Sequence, residues 1–140
     1  MIRGKPLPPD IAQRLSTLGQ ALERCPSVVF AYVFGSAARG HLTPLSDVDV
    51  AVYLDPAEDP VTARLQATEA VVRHLATDDV DLVVLNSAPT ALVGRVLTGR
   101  RVILDRDPFL RHRFESLASR EFSDFRIFER RLLERRARSG

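Results

Sequence analysis

Residues 27–34, with the sequence Ser-Val-Val-Phe-Ala-Tyr-Val-Phe, constrain the fold of this chain more than any other segment. The run is dominated by β-branched and aromatic side chains, shows no regular alternation with polar residues, and ends abruptly at Gly35. This pattern predicts a strand that is buried on both faces. Other elements of the chain must therefore cover it.

Two longer segments have the periodicity of helices. In the first predicted helix, over residues 9–24, the apolar stripe predicted to face the core consists of Ile11, Leu15, Leu18 and Leu22. In the second predicted helix, over residues 61–76, the face predicted to be buried consists of Val61, Leu65, Val72 and Leu75.

The other predicted elements alternate along the chain. They are strands at 47–54, 80–85 and 101–104, and helices at 89–98 and 108–138. The order predicts a single α/β (α+β) domain over residues 1–140, with a small mixed β-sheet of about four strands and helices packed on it. Residues 108–138 form a C-terminal helical extension of that domain.

Composition limits the classes of protein that this chain can belong to. Its one cysteine, Cys25, excludes an internal disulfide, and no cluster of cysteine and histidine offers a zinc site. Residues 1–6 lack the apolar run of a signal peptide, and nowhere do eighteen apolar residues follow one another. These features predict a cytoplasmic protein without a membrane partner.

The charge of the chain, +2 in total, is concentrated at its C-terminal end, where residues 111–140 hold nine arginines and five acidic residues. Basic and acidic residues alternate there, which is typical of a solvated or partner-facing helix. We therefore expect no direct binding of nucleic acid.

Two aspartates, Asp47 and Asp49, begin the strand at 47–54. Side chains on a strand alternate between its faces, so both lie opposite the apolar face formed by residues 48, 50, 52 and 54. Two neighbouring carboxylates repel each other unless a cation compensates, and a pair of Mg²⁺ ions suits their oxygen ligands. Two such ions can hold the attacking oxygen and the leaving oxygen of an in-line displacement at phosphorus. The alternative is that these aspartates are exposed residues of an amphipathic strand.

Gly35 and Ser36 follow the buried strand directly. A glycine lets backbone approach a ligand closely, and a serine hydroxyl with exposed N–H groups at a helix start binds phosphate oxygens. Arg39 could add a fixed positive charge. Taken alone, the dipeptide is equally typical of a glycine turn with a serine N-cap.

The spacing of the two motifs carries more information than either motif. Gly35-Ser36, ten intervening residues and Asp47-x-Asp49 match the pattern of the DNA-polymerase-β-like nucleotidyltransferase superfamily. The segments 34–40 and 46–52 closely resemble its minimal nucleotidyltransferase (MNT) branch, and by element order the resemblance covers a core at residues 10–105. The arginine-rich C-terminal helix is similar to that of the MntA-like MNT antitoxins that accompany HEPN ribonuclease toxins.

The superfamily resemblance also implies a third carboxylate on a later strand. Asp81 begins the strand at 80–85 and is the residue we expect to be the third metal ligand and general base, while Asp78 and Asp79 lie in the turn before it. Alternatively, Asp81 merely begins a strand. His41, in the loop between the two motifs, is expected to be exposed.

The resemblance implies a magnesium-dependent nucleotidyltransferase with ATP as substrate, in which Gly35, Ser36 and Arg39 bind the nucleotide. It further implies an antitoxin that transfers AMP to a tyrosine of a cognate HEPN toxin. The C-terminal helix, with Phe122, Phe125 and Phe128, is then the docking surface, although this helix can equally pack on its own domain. Two alternatives remain: a stand-alone enzyme that modifies a small molecule such as an aminoglycoside, and an antitoxin that acts by binding alone.

Overall fold

The computed structural model describes residues 6–139. Most of the N-terminal segment that was expected to lack a signal peptide therefore lies outside the described residues. The four strands are β1 (Val28–Phe34), β2 (Val48–Leu54), β3 (Val80–Val84) and β4 (Arg101–Asp105). The six helices are α1 (Ile11–Ser16), α2 (Leu18–Glu23), α3 (Gly35–Arg39), α4 (Pro60–Leu75), α5 (Thr90–Thr98) and α6 (Pro108–Ser139).

The four strands form one mixed sheet in the order β3-β2-β1-β4. The central strand β1 pairs antiparallel with both β2 and β4, and β2 pairs parallel with β3. This arrangement confirms the predicted mixed sheet of four strands with a long C-terminal helix. It places β1, the strand predicted to be buried on both faces, between two neighbours, and every residue of β1 except the partly exposed Val29 is buried.

Each face of the sheet has its own hydrophobic core. On one face, Ala31 and Val33 of β1 and the apolar residues Val48, Val50, Val52 and Leu54 of β2 pack beneath α1, α2 and α4. On the other face, Phe30, Tyr32 and Phe34 of β1 pack with Ala51 of β2 and Val83 of β3 beneath α5 and the first half of α6. The alternation of β2 therefore follows the prediction, and Asp49 lies on the α5 and α6 face.

The helix predicted at 9–24 is interrupted at Thr17, which separates α1 from α2. The Thr17 hydroxyl lies 3.2 Å from the Arg14 carbonyl oxygen and 2.8 Å from Nε2 of His74 in α4. Such side-chain bonds compete with helical backbone bonds, which explains the interruption. The predicted stripe of Leu15, Leu18 and Leu22 is nevertheless buried.

The face predicted for α4 is wrong. Val61 and Leu65 are 67% and 64% exposed, and the buried face instead consists of Ala63, Ala67, Val71 and Leu75. Alanines carry little apolar surface, but they allow a helix to approach a sheet closely. Of the residues predicted for this face, Leu75 is buried as expected.

The 32-residue helix α6 is about 48 Å long at the usual rise of an α-helix. Leu110, Phe114 and Ala118 pack against the core beneath it, and Phe122 contacts Gly94 of α5. Beyond Phe122 the side chains of α6 that the structure describes are exposed. Phe122 is therefore part of the domain and not of an exposed docking surface, whereas Phe125 and Phe128 are accessible.

Among residues 6–139, no helix is both long enough and apolar enough to cross a lipid bilayer.

Candidate active site

Gly35 and Asp49 touch where β1 passes into α3. Gly35 has a φ of +64°, in the left-handed region that glycine adopts at low cost. A β-carbon at this position would lie 2.5 Å from Oδ2 of Asp49, because β1 and β2 pair Phe34 with Asp49. Both the backbone angle and the neighbouring carboxylate therefore require glycine at position 35.

Asp49 and Asp81 lie side by side on neighbouring parallel strands. The pairing of β2 with β3 sets Asp49 directly opposite Asp81, and Ala51 opposite Val83 two residues later. Since Ala51 and Val83 belong to the core on the α5 and α6 face, both aspartates lie on that same face. Asp49 is half-buried and Asp81 is exposed.

Asp47 precedes β2 by one residue and is exposed. Its charge is felt at Asp49, two residues further on: burial raises the pKa of the Asp49 carboxyl, and the charges of Asp81 and Asp47 raise it further. Arg95, on α5, acts in the opposite direction. The charges of Asp47 and Asp81 thus add to the negative charge at Asp49, and Arg95 offsets part of it.

This charge is of the kind that a hard divalent cation compensates. Carboxylate oxygens are the ligands that Mg²⁺ prefers, so Asp47, Asp49 and Asp81 are chemically suited to hold it. Within residues 6–139, no three acidic, histidine or cysteine side chains converge closely enough to form a ready-made metal site. Asp81 is exposed, so a change of its side-chain rotamer can bring its oxygens closer to Asp49.

A cleft of about 500 Å³ begins at Asp49 and passes between α3 and the end of α5. It is lined by Phe34, Gly35, Arg39, Asp49, Arg95, Thr98 and Gly99. The structure thus brings Arg39 together with Gly35 and Asp49. Arg95 and Thr98 were not anticipated, because a single arginine on an amphipathic helix is typical of any solvated face.

Volume alone does not single out this cleft. Another, of about 470 Å³, is lined by Asp78 and Asp79 together with residues of α4. Neither of these two aspartates lines the cleft that begins at Asp49, and Asp81 is the one of the three that pairs with Asp49. The chemistry of the lining, and not its size, marks the cleft beside Gly35.

Ser36, His41 and Tyr53 do not line the cleft. Ser36 is half-buried in the first turn of α3, where its carbonyl oxygen accepts a hydrogen bond from the backbone N–H of His41 at 2.9 Å. His41 is exposed, as expected. Tyr53 stacks on Phe30 at 4.8 Å between ring centroids and contacts Phe114, so it is a packing residue of the core.

Comparison with known proteins now adds to this geometry. A family model described as polymerase beta, nucleotidyltransferase, matches residues 16–109, more than half of the chain. The chain belongs to this nucleotidyltransferase family. The match contains all three aspartates and the Gly35-Ser36 motif, and it confirms the expected polymerase-β-like fold. No curated protein sequence matches the chain.

Several solved structures similar to this nucleotidyltransferase are of toxin–antitoxin complexes. One, a toxin–antitoxin structure with AMP-PNP, has a TM-score of 0.68 and 24% identity, and the match covers 88% of this chain and 95% of that one. A mutant MntA toxin–antitoxin structure has a TM-score of 0.66 and 26% identity, with 82% and 90% covered. A third structure is of a tri-AMPylated HEPN toxin of Shewanella oneidensis in complex with an MNT antitoxin. It has a TM-score of 0.62 and 22% identity, and the match covers 89% of this chain and 93% of that one.

Proposed function

We propose that this nucleotidyltransferase is an Mg²⁺-dependent antitoxin that transfers AMP from ATP to a tyrosine of a cognate HEPN ribonuclease toxin in the cytoplasm. The observation that carries the proposal is the contact of Gly35 with Asp49, which itself lies in register with Asp81. This places a backbone that can approach phosphate next to a pair of carboxylates. Nucleotidyl transfer requires both.

The reaction joins an acceptor oxygen to the α-phosphorus of ATP. The bond from that phosphorus to the bridging oxygen of pyrophosphate breaks, and Asp81 accepts the hydroxyl proton. Gly35 allows the backbone to approach the phosphates, and Ser36 and Arg39 supply hydrogen bonds and positive charge. Asp47, Asp49 and Asp81 would hold Mg²⁺, two ions in number, which would supply charge neutralisation at the phosphates. Catalysis is then mainly positioning and electrostatic stabilisation.

The similar structures support the choice of acceptor. They are toxin–antitoxin complexes, one of them has AMP-PNP, and in another the HEPN toxin is AMPylated. The present chain matches more than nine-tenths of the corresponding chain in both. The carboxylates Asp47 and Asp81 are exposed, so a protein acceptor can reach them from solvent.

The second half of α6 supports a protein partner independently. Phe125, Phe128 and Leu132 continue, at steps of three and four residues, the stripe through which Phe114 and Ala118 pack on the domain. In the described structure they have no core to cover them. Aromatic residues and arginines are enriched at protein interfaces, and this half of α6 contains both.

The proposal is tested by incubating the purified chain with Mg²⁺, ATP labelled at the α-phosphate, and the protein encoded by the neighbouring gene. We expect label on that protein, on a tyrosine, and loss of its ribonuclease activity. The variant Asp47→Ala with Asp49→Ala should still bind the partner but transfer no label. Omitting Mg²⁺ should also abolish transfer.

Other outcomes would contradict the proposal in distinct ways. Label that appears only on an added aminoglycoside would indicate a small-molecule enzyme. Neutralisation of the partner without label, unchanged in the double alanine variant, would indicate an antitoxin that acts by binding alone.

A further inference from the structure

Arg95 is the only charged residue of α5, and the neighbours on its helix fix its position. Val93 and Gly94 on one side of it, and Val96 and Leu97 on the other, are buried against the sheet and α6. Arg95 itself is exposed and lines the cleft that begins at Asp49. A rigid helix thus holds an accessible guanidinium beside the proposed reaction centre.

Other arginines near α5 and α6 are tied to the protein. Arg100 donates to Glu115 at 2.8 Å, and Arg111 donates to Asp105 at 2.8 Å. No hydrogen bond or salt bridge ties the Arg95 side chain to any residue within the described part of the chain. Its guanidinium donors are therefore available to a ligand in the cleft.

The charged residues that line the cleft favour the binding of an anion. Two arginines, Arg39 from α3 and Arg95 from α5, line the cleft together with one half-buried aspartate, Asp49. Within residues 6–139 no other charged residue lines the cleft, so this lining has a net charge of +1 when Asp49 is ionised. Arginine is the side chain that best recognises phosphate oxygens, because its planar fork donates two parallel hydrogen bonds.

The location of the cleft indicates which part of the nucleotide it holds. Asp47 and Asp81, the exposed carboxylates that an acceptor can reach, do not line it, whereas Gly35 and Asp49 do. In nucleotidyl transfer the α-phosphate must lie near the carboxylates, so a cleft that begins at Asp49 and is lined by arginines suits the phosphates that depart. We propose that Arg95 binds the β- and γ-phosphates of ATP, as a second guanidinium beside Arg39. This assignment rests on the proposed nucleotidyl transfer.

The test compares binding of ATP, AMP and pyrophosphate, each with Mg²⁺, to the full chain and to the variants Arg95→Met and Arg95→Lys. We expect Arg95→Met to weaken ATP and pyrophosphate about tenfold to a hundredfold, because a charged hydrogen bond is lost. AMP binding should change by less than about twofold in the same variant. Arg95→Lys should recover part of the ATP affinity, since it restores the charge but not the fork.

Arg113→Met is the matched control, because Arg113 is an exposed arginine of α6 that does not line the cleft. It should bind ATP as the unmodified chain does. Thermal unfolding of every variant separates folding from binding.

Equal weakening of ATP and AMP by Arg95→Met would overturn the assignment, because it would show that Arg95 acts through Asp49 or through the fold. Unchanged ATP binding would overturn it as well. In both cases continued labelling of the acceptor by the unmodified chain would leave the proposed function intact. If the unmodified chain bound no ATP and transferred no label, both proposals would fail together.

Discussion

At the scale of single residues, the position of the Asp49 carboxylate depends on the absence of a side chain at Gly35. The glycine has a left-handed backbone, and its missing β-carbon leaves the space that the Asp49 carboxylate occupies. Gly40, five residues later, has a similar φ of +70°, but a β-carbon there would meet nothing within 4 Å. The chain therefore contains two glycines with the same backbone cost, of which one has a close neighbour.

Substitution of each glycine by alanine separates these two effects. We expect Gly35→Ala and Gly40→Ala each to lower the free energy of unfolding by about 1 kcal/mol, owing to the left-handed backbone. Gly35→Ala should in addition displace Asp49 and reduce nucleotidyl transfer by about a hundredfold or more. Urea unfolding and an AMP-transfer assay measure the two quantities. Equal transfer rates in the two variants would contradict the role assigned to the contact.

The ionisation of Asp49 is expected to make the stability of the fold depend on pH and on divalent cations. Because the pKa of Asp49 is raised in the fold, its ionised form is disfavoured there, and the folded state is favoured while the carboxyl is protonated. That contribution is fully present below the ordinary value of 3.8 and is lost as the pH rises through the raised pKa. At pH 7 without divalent cations, Asp49→Asn should therefore be more stable than the unmodified chain, although inactive.

The difference in stability should shrink as the pH is lowered through the raised pKa to below 3.8, where both the folded and the unfolded state of the unmodified chain bind the proton. Added Mg²⁺ should raise the melting temperature of the unmodified chain and raise that of Asp49→Asn less. Thermal unfolding at several pH values, with and without Mg²⁺, checks both expectations. A variant less stable than the unmodified chain at neutral pH would contradict the first.

The sequence allowed part of this site to be predicted. Strand alternation sets Asp49 opposite the apolar face of β2, and glycine next to a strand end indicates an unusual backbone. Asp81 was preferred to Asp78 and Asp79 on the family resemblance and on its place at the start of a strand. Its position opposite Asp49 follows from the register of β2 with β3, which links residues more than thirty positions apart and could not be read from the sequence. Arg95 could not be found, because only the folded helix shows that its exposed side faces Asp49.

At the scale of elements, a buried polar cluster joins α6 to the sheet. Glu115, 8% exposed, accepts hydrogen bonds from the Tyr32 hydroxyl of β1 at 2.7 Å, from Arg100 at 2.8 Å and from Arg111 at 3.1 Å. Burial alone would raise the pKa of Glu115, but these donors outweigh burial and lower it. The ionised carboxylate is thus the form that holds the helix in place.

Glu115→Gln should remove this charge and lower the free energy of unfolding by about 3 kcal/mol, because it leaves buried donors poorly matched. Since the pKa of Glu115 is lowered, the contribution is present above its ordinary value of 4.5 and is lost as the pH falls through the lowered value. Urea unfolding against pH measures this. Glu129→Gln, at an exposed position of the same helix, is the control and should be nearly neutral. Equal losses in the two variants would contradict the role of the cluster.

The elements themselves were predicted well, but their faces less so. Hydrophobic periodicity located α4, yet it gave weight to Val61 and Leu65 and overlooked Ala63 and Ala67, which form the buried side. Likewise, the stripe of the first predicted helix was correct, whereas its interruption at Thr17 depends on His74 of a distant helix. Such contacts are tertiary and leave no local pattern in the sequence.

At the scale of the whole molecule, α6 extends past the domain and carries an exposed apolar stripe. Phe128, 66% exposed, lies on the stripe that continues from the packed half of the helix, and Ile127, 41% exposed, lies on a different side. These neighbours have the same local helix environment and differ in the direction of their side chains. They form a matched pair for a test of partner binding.

Phe128→Asp should weaken binding of the proposed partner toxin at least about tenfold, because an apolar contact is replaced by a charge that must be desolvated. Ile127→Asp should weaken it by less than about twofold. Neither variant should alter ATP binding or the melting temperature appreciably, since both side chains are outside the core. Pull-down or calorimetric titration with the purified partner measures the affinities. Equal effects of the two variants would exclude this stripe as the interface.

The strand order β3-β2-β1-β4 has a consequence for the way in which the chain folds. Strands β1 and β2, with α3 between them, come from residues 28–54, a short contiguous stretch that contains Gly35, Ser36, Asp47 and Asp49. Strand β4 joins the other edge of β1 from residues 101–105, across a much longer closed loop. Closing a longer loop costs more entropy, so the β1–β2 pair is expected to form early and β4 to close the sheet late. Most of the catalytic motif would then assemble within a nucleus that precedes the rest of the sheet, and amide protection in pulse-labelled refolding should appear in β2 before β4.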